Sequence, residues 1–123
     1  MYTKFTLYYQ PKTRVGEEIR SLSISFYDFE PSGNYKKKVV LEKTNGEKYK
    51  IKKTLTGYNE FLQKINAQLL VITKEECVDT TDNYFYVQYG EHVLETNNKK
   101  NVQPLIDTIG FDDIWAQEVH KYQ

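Results

Sequence analysis

With 123 residues, 39% of them hydrophobic, the chain is long enough for a single domain, residues 1–123, to form a hydrophobic core without a stabilising metal ion or disulfide bond. The 17 basic and 17 acidic residues balance, and Cys77 is the only cysteine, which excludes an intrachain disulfide and disfavours a secreted scaffold. Residues 1–10 lack the apolar run of a signal peptide and no stretch approaches ~18 apolar residues, so we expect a cytoplasmic, non-membrane protein. Only Arg14 and Arg20 are arginines, a lysine bias that AT-rich genomes produce, as in low-GC bacteria and their phages or mobile elements.

The first thirty residues predict two half-buried antiparallel strands. Residues 3–10 (TKFTLYYQ) alternate polar and apolar side chains, and residues 21–29 (SLSISFYDF) place apolar residues opposite serines. We expect residues 11–20 to form a loop or wide turn. Residues 30–34 (EPSGN) are rich in turn formers and close the second strand.

Residues 34–55 (NYKKKVVLEKTNGEKYKIKKTL) predict a β-hairpin. A three-residue loop at positions 44–46 puts Gly46 in the left-handed conformation that such loops require. This register forms two apolar and two opposite-charge pairs, namely Leu41 with Tyr49, Val39 with Ile51, Lys43 with Glu47, and Glu42 with Lys48. A two-residue loop would instead set Lys43 against Lys48, so the three-residue loop is favoured.

The second half of the chain predicts a central helix, more strands and C-terminal helices. Residues 57–70 carry an apolar stripe at helical spacing, with Thr56 as its cap. We expect a short strand at residues 71–78 and a strand, tight turn and strand at residues 83–96. In residues 103–122, Pro104 suits a first helical position, Gly110 a stop, and Asp112 the cap of a last helix that carries Trp115 on its apolar stripe.

Together these elements predict an α+β fold, in which one central helix and one or two C-terminal helices pack on a mostly antiparallel sheet. The order of strands, central helix and further strands resembles an OB-type or strongly curved sheet. The resemblance is one of topology alone and indicates no family.

The neutral total hides a segregation of charge. Residues 35–53 carry 8 basic and 2 acidic residues, whereas residues 71–95 carry 1 and 6, and residues 103–123 carry 1 and 4. The favoured register gathers five lysines on one face of the hairpin, with Glu42 and Val40 among them: Lys36, Lys38, Lys48, Lys50 and Lys52. The candidate acidic surface consists of Glu75, Glu76, Asp79, Asp82, Asp112 and Asp113.

Two interpretations of the lysine face stay open. It is either a solvated sheet face, whose lysines deter edge-to-edge pairing, or a contact for an acidic protein or a polyanion. Because arginine is absent from the face, nucleic-acid contacts would be insensitive to sequence and sensitive to salt. Tyr35 or an exposed Tyr8 could add base stacking.

Catalytic chemistry has little support. Cys77 is expected to be incidental or buried, and His92 and His120 have no C-x-x-C or H-x-x-x-H spacing around them, so no metal or other cofactor is predicted. Asp112 and Asp113 could serve a hydrolase or an Mg²⁺ site, but helix capping explains them more simply. No phosphate-binding loop or nucleophile elbow occurs.

The sequence therefore favours a small non-enzymatic interaction protein that occupies a partner's surface, of the inhibitor, immunity or anti-defence type. A macromolecular partner is expected, a protein ahead of single-stranded nucleic acid, because segregated charge orients a partner. The alternative is an OB-like protein that binds single-stranded DNA or RNA through the lysine-rich hairpin. An enzyme with an unfamiliar carboxylate site is the third hypothesis.

Overall fold

Six strands and three α-helices follow one another in the computed structural model, which describes residues 4–12, 19–28, 30–72 and 77–122, the last four by their backbone alone. The strands are β1 Phe5–Gln10, β2 Ile19–Tyr27, β3 Asn34–Lys43, β4 Lys48–Thr56, β5 Tyr84–Tyr89 and β6 His92–Thr96. The helices are α1 Tyr58–Leu69, α2 Gln103–Ile109 and α3 Phe111–Tyr122, and a short 3-10 helix, Lys99–Val102, leads into α2.

All six strands form one antiparallel sheet in the order β4-β3-β2-β1-β5-β6, and the three helices pack against it. The predicted α+β class is confirmed. The sheet ends at β4 on one side and β6 on the other and does not close, so the suggested OB-type barrel is not formed. The β5–β6 hairpin instead joins the edge of β1, which extends the sheet to six strands.

The predicted register of the β3–β4 hairpin is confirmed. Leu41 lies opposite Tyr49 and Glu42 opposite Lys48, and the backbone N–H of Lys43 donates to the carbonyl of Glu47 at 2.8 Å. Gly46 has φ +91°, the left-handed conformation expected at this position of a three-residue loop. The inner side of the ribbon carries apolar pairs, interrupted by Lys37 opposite Lys53, and the outer side carries the other lysines. A slip of one residue would exchange the two sides, so this pattern favours the observed register.

Side-chain alternation gives the sheet an inner and an outer face. The inner face carries the hydrophobic core, formed by these strand residues: Phe5, Leu7, Ile19, Leu22, Ile24, Phe26, Tyr35, Val39, Leu41, Phe85 and Val87. The helices complete it with these side chains: Phe61, Ile65, Leu105, Ile106, Ile109 and Phe111. Within the described residues, no outer-face strand residue belongs to this cluster, so the helices lie on the inner side.

Several predicted boundaries were wrong by a few residues. β2 begins at Ile19, inside the predicted loop, and Phe29 lies outside the described residues. Gly57, with φ +84°, precedes α1 in place of the predicted Thr56 cap, because Thr56 is still paired with Asn34 in the sheet. Of the predicted strand at 71–78, residues 71, 72, 77 and 78 are not in a strand, and residues 73–76 lie outside the described part.

The prediction of one or two C-terminal helices, with a stop at Gly110, is confirmed, and the structure forms two. Pro104 lies in the first turn of α2, and Gly110 ends that helix with φ +68°. Asp112 is not the cap of the last helix, since α3 already begins at Phe111 and holds Asp112 within its first turn. Trp115 packs on the core, whereas the side chains of Val119 and Tyr122 lie outside the described residues.

None of the helices in the described ranges is both long enough and apolar enough to cross a membrane.

Candidate binding face

The outer face of the sheet gathers most of the predicted binding residues. Its lysine half, on β3 and β4, consists of Lys36, Lys38, Lys48, Lys50 and Lys52. Its serine column, on β2, consists of Ser21, Ser23 and Ser25, and its tyrosine half, on β1 and β5, of Tyr8, Tyr84 and Tyr86. We call these three parts together the lysine–tyrosine face.

The register of the ladders places these side chains in rows across the sheet. One row runs from Lys50 through Val40, Ser23 and Tyr8 to Tyr86. The row on one side of it contains Lys52, Lys38 and Ser25, and the row on the other contains Lys48, Glu42 and Ser21. Because adjacent strands are ~4.8 Å apart, Tyr8 lies about 10 Å from the β3 lysine column and about 14 Å from the β4 column, measured between strands.

Positive charge in the lysine half is largely uncompensated. Lys36 lies 3.7 Å from Asp28 (Nζ to Oδ2), and Glu42 lies 3.7 Å from Arg20 (Oε1 to Nη1). In the part of the chain that the structure describes, no carboxylate is within 4.0 Å of the other four lysines, which are Lys38, Lys48, Lys50 and Lys52. The face therefore presents four cationic groups to solvent.

The surroundings of Lys38 lower its pKa from the ordinary value of 10.5. Desolvation is the first cause, and the positive charges of Lys50, Lys52 and Lys4 are the second. Three cations around one ammonium favour release of its proton or the arrival of an anion. The arrangement is consequently suited to an anionic ligand.

The tyrosine half places two partly exposed rings side by side. Tyr8 lies directly opposite Tyr86 in the β1–β5 ladder. Each hydroxyl donates to the glutamine two residues further along its own strand, Tyr8 to Gln10 at 3.0 Å and Tyr86 to Gln88 at 3.4 Å. These bonds lean each ring along its strand, so the pair offers aromatic surface beside the serine column.

Tyr84 completes this half but has a more structural role. Its ring packs edge-on against Tyr8 with centroids 6.4 Å apart, and its hydroxyl donates to Glu95 Oε1 at 2.7 Å. Burial, followed by that hydrogen bond and the charge of Glu95, raises the pKa of Tyr84. Tyr84 therefore stays protonated and supports the ring of Tyr8.

The serine column is the low part of the face. Ser21 and Ser25 are only 5% and 7% exposed, because longer side chains stand on both sides of them. Ser25 Oγ lies 3.2 Å from Thr6 Oγ1, which satisfies one of these buried hydroxyls. The serine column is flanked on the β3 side by Lys38, Val40 and Glu42 and on the β1 side by Thr6 and Tyr8.

The structure corrects the role expected for Tyr35. This side chain is 7% exposed and stacks on Phe61 with ring centroids 5.2 Å apart, so it is part of the core. The reason is alternation, since Tyr35 lies on the same side of β3 as Val39 and Leu41. Burial also raises the pKa of its hydroxyl.

The candidate acidic residues do not form a comparable face. Glu75 and Glu76 lie outside the described residues. Asp79 accepts hydrogen bonds from the hydroxyl and backbone N–H of Thr81 at 2.6 and 2.8 Å, which lower its pKa, and Asp82 accepts from the backbone N–H of Asn83. Asp112 Oδ1 binds Lys99 Nζ at 2.6 Å, and Asp113 is exposed in the first turn of α3. These local contacts, and not a shared site, occupy Asp79, Asp82 and Asp112.

The candidates for catalysis are scattered. Cys77 is exposed, not buried, and His92 is exposed at the start of β6, while the side chain of His120 lies outside the described residues. No group of three or more histidine, cysteine or carboxylate side chains is placed to hold a metal ion in the ranges that the structure describes.

Sequence reasoning did not identify Tyr84 and Tyr86 as members of the face. Their strand was predicted, and its alternation separates them from the buried Phe85 and Val87. What was missing was the pairing of β5 with β1, which joins residues nearly 80 positions apart (Tyr8 with Tyr86).

No protein-family model matches this chain, and comparison with curated proteins and with solved structures finds no similar protein.

Proposed function

We propose that this protein is a non-enzymatic binding protein that holds single-stranded nucleic acid on the lysine–tyrosine face. The observation that carries the proposal is that Tyr8 and Tyr86 share one sheet face with four lysines that have no carboxylate partner among the described residues, about 10 to 14 Å from Tyr8. Positive side chains that follow a backbone, next to aromatic rings that stack on bases, are the usual means of holding a single strand.

Charge on the face supports a polyanion in spite of the neutral total. Carboxylates near the lysine half are few. Glu42 lies next to Arg20, and Asp28 lies next to Lys36, which is itself part of the lysine half. Lysine ammonium groups contact phosphates as point charges and lack the planar fork of arginine, so we expect little sequence preference. The site is proposed to act in the cytoplasm, where the exposed Cys77 would stay reduced.

A single strand suits the face better than a duplex. A sheet face is wider than either groove of B-DNA, whereas the unpaired bases of a single strand are free to stack on side chains. Stacking of a base on Tyr8 or Tyr86 would contribute ~1–3 kcal/mol. Duplex DNA would meet the lysines but leave these rings unused.

The experiment is a fluorescence-anisotropy titration of labelled oligothymidylate at low salt. Lys48, Lys50 and Lys52 are replaced together by Glu, and a control variant carries the same charge change as Lys64→Glu, Lys99→Glu and Lys100→Glu, all exposed and on helical segments outside the sheet. We expect the first variant to lose binding and the control to retain most of it. Equal losses in both variants, or no binding by the wild type, would overturn the proposal.

A partner protein is the second candidate, as an inhibitor, immunity or anti-defence protein of a phage or mobile element. The observation that favours it is the placement of opposite charges in different parts of one small domain, with the lysines on β3 and β4 and the exposed Asp79 and Asp113 elsewhere. Such charge asymmetry orients an encounter between proteins. Affinity capture that returns a stable protein complex lost with the Lys48, Lys50 and Lys52 replacements would favour this candidate.

A further inference from the structure

We infer that the bound single strand runs parallel to β2 along the serine column, with its phosphates on the lysine half and its bases on the tyrosine half. This inference rests on the proposed function and specifies the path and the contacts of the ligand. It predicts a site of about four nucleotides, near the lower limit for one nucleic-acid-binding domain.

The spacing of the lysines carries the first step. Lys48, Lys50 and Lys52 are alternate residues of one strand, so their Cα atoms follow one another at roughly 6.8 Å. An extended single strand places successive phosphates at a similar interval. Lys38, directly opposite Lys52, adds a fourth cation at one end of the same line.

The positions of the tyrosines carry the second step. Tyr8 lies three strands from the β4 lysine column, about 14 Å away, and two strands from Lys38 on β3, about 10 Å away, across the recessed serines. One nucleotide together with the flexible four-carbon stem of a lysine spans these distances. A strand over the serine column can therefore touch lysines and tyrosines with the same nucleotides.

The opposite path, across the β-strands, fits poorly. A strand laid along the row of Tyr8 would meet only one lysine, Lys50, and would place phosphates over Val40 and Ser23. Only the path along β2 brings all the uncompensated lysines to one backbone.

The test measures how the dissociation constant of an oligothymidylate of about eight nucleotides depends on salt for single variants. Under the proposed path, each lysine meets one phosphate. Lys48→Gln, Lys50→Gln and Lys52→Gln should each reduce the slope of log affinity against log salt by about 0.7. Tyr8→Leu should weaken binding on the order of ten-fold and leave the slope unchanged, because stacking releases no counterions. Tyr8→Phe, which keeps the ring, is the matched control and should bind like the wild type.

The outcomes separate this inference from the proposed function. If only Lys50→Gln lowers the slope, or if Tyr8→Leu binds as tightly as Tyr8→Phe, the path along β2 is overturned while single-strand binding stands. If polyglutamate displaces the oligonucleotide as well as an unlabelled oligonucleotide of equal charge does, the face recognises charge alone and the base contacts are refuted. If the wild type binds no oligonucleotide at low salt, both proposals fail together.

Discussion

Lys38 and Lys52 lie directly opposite each other on the outer face of the β3–β4 ladder. Like charges in this position oppose pairing of the strands, and among the described residues no carboxylate is placed to neutralise either one. Lys37 and Lys53 form a second like-charge pair on the inner face of the same ladder. These pairs oppose the pairing of β3 with β4, and the outer pair concentrates positive charge on the lysine half.

Replacing Lys38 with Gln should stabilise the protein at neutral pH and weaken oligonucleotide binding. The folded-state pKa of Lys38 is lower than 10.5, so below that lowered pKa the lysine is charged in both states, and desolvation followed by repulsion from its neighbours opposes folding. As pH rises from the lowered pKa towards 10.5, the folded protein releases the proton first and this penalty disappears.

Urea unfolding of the wild type and of Lys38→Gln at pH 7 and pH 10 checks this sign. The variant should be more stable than the wild type at pH 7, by a margin that shrinks at pH 10. As the control, Lys64→Gln, at an exposed position of α1, should have the stability of the wild type at both pH values. A variant less stable than the wild type at pH 7 would contradict the proposed repulsion.

Gly46→Ala should lower the free energy of unfolding by about 1–2 kcal/mol, because an L-residue at φ +91° carries the cost of the left-handed conformation. An added Cβ meets no atom within 4 Å, so any loss reflects the backbone and not a clash. Chemical denaturation measures it, with Gln63→Ala on the exposed side of α1 expected to stay within about 0.5 kcal/mol. Equal stabilities of the two variants would argue against the three-residue loop.

Tyr35→Ala should cost about 3 kcal/mol of stability, since it removes a buried ring that stacks on Phe61. Tyr8→Ala, on the outer face, should cost about 1 kcal/mol. Denaturation midpoints of the two variants, compared with oligonucleotide binding, separate the roles: Tyr35 serves the core and Tyr8 the ligand. Similar losses of stability in both would mean that Tyr8 is also a core residue.

Asp112→Asn combined with Asp113→Asn should cost about 1 kcal/mol and leave oligonucleotide binding unchanged. The double variant removes an exposed ion pair with Lys99 and two negative charges at the start of α3. Thermal unfolding and anisotropy titration measure the two effects. A loss of binding without unfolding would reinstate these carboxylates as part of a functional site.

The local parts of the fold were predictable from sequence. The β3–β4 register follows from pairs such as Leu41 with Tyr49, all contained within 22 residues, and Gly110 marks the end of α2 by its own conformational freedom. The pairing of β1 with β5 was not predictable, because nothing in either segment identifies its partner across more than 70 residues.

The error at Tyr35 was avoidable. The register that places Lys36 and Lys38 outward also places Tyr35 inward with Val39, so alternation alone excludes it from the face. Only the long-range pairing could place Tyr86 beside Tyr8. The lysine half of the site was therefore accessible to sequence reasoning, and most of the tyrosine half was not.

The salt dependence of oligothymidylate binding by the wild-type protein is the most direct test of the central proposal. Four uncompensated lysines on one backbone predict a slope of log affinity against log salt of about −3 between roughly 50 and 200 mM. A slope near zero, or no measurable binding at the lowest salt, would show that the lysine–tyrosine face does not hold a nucleic-acid backbone.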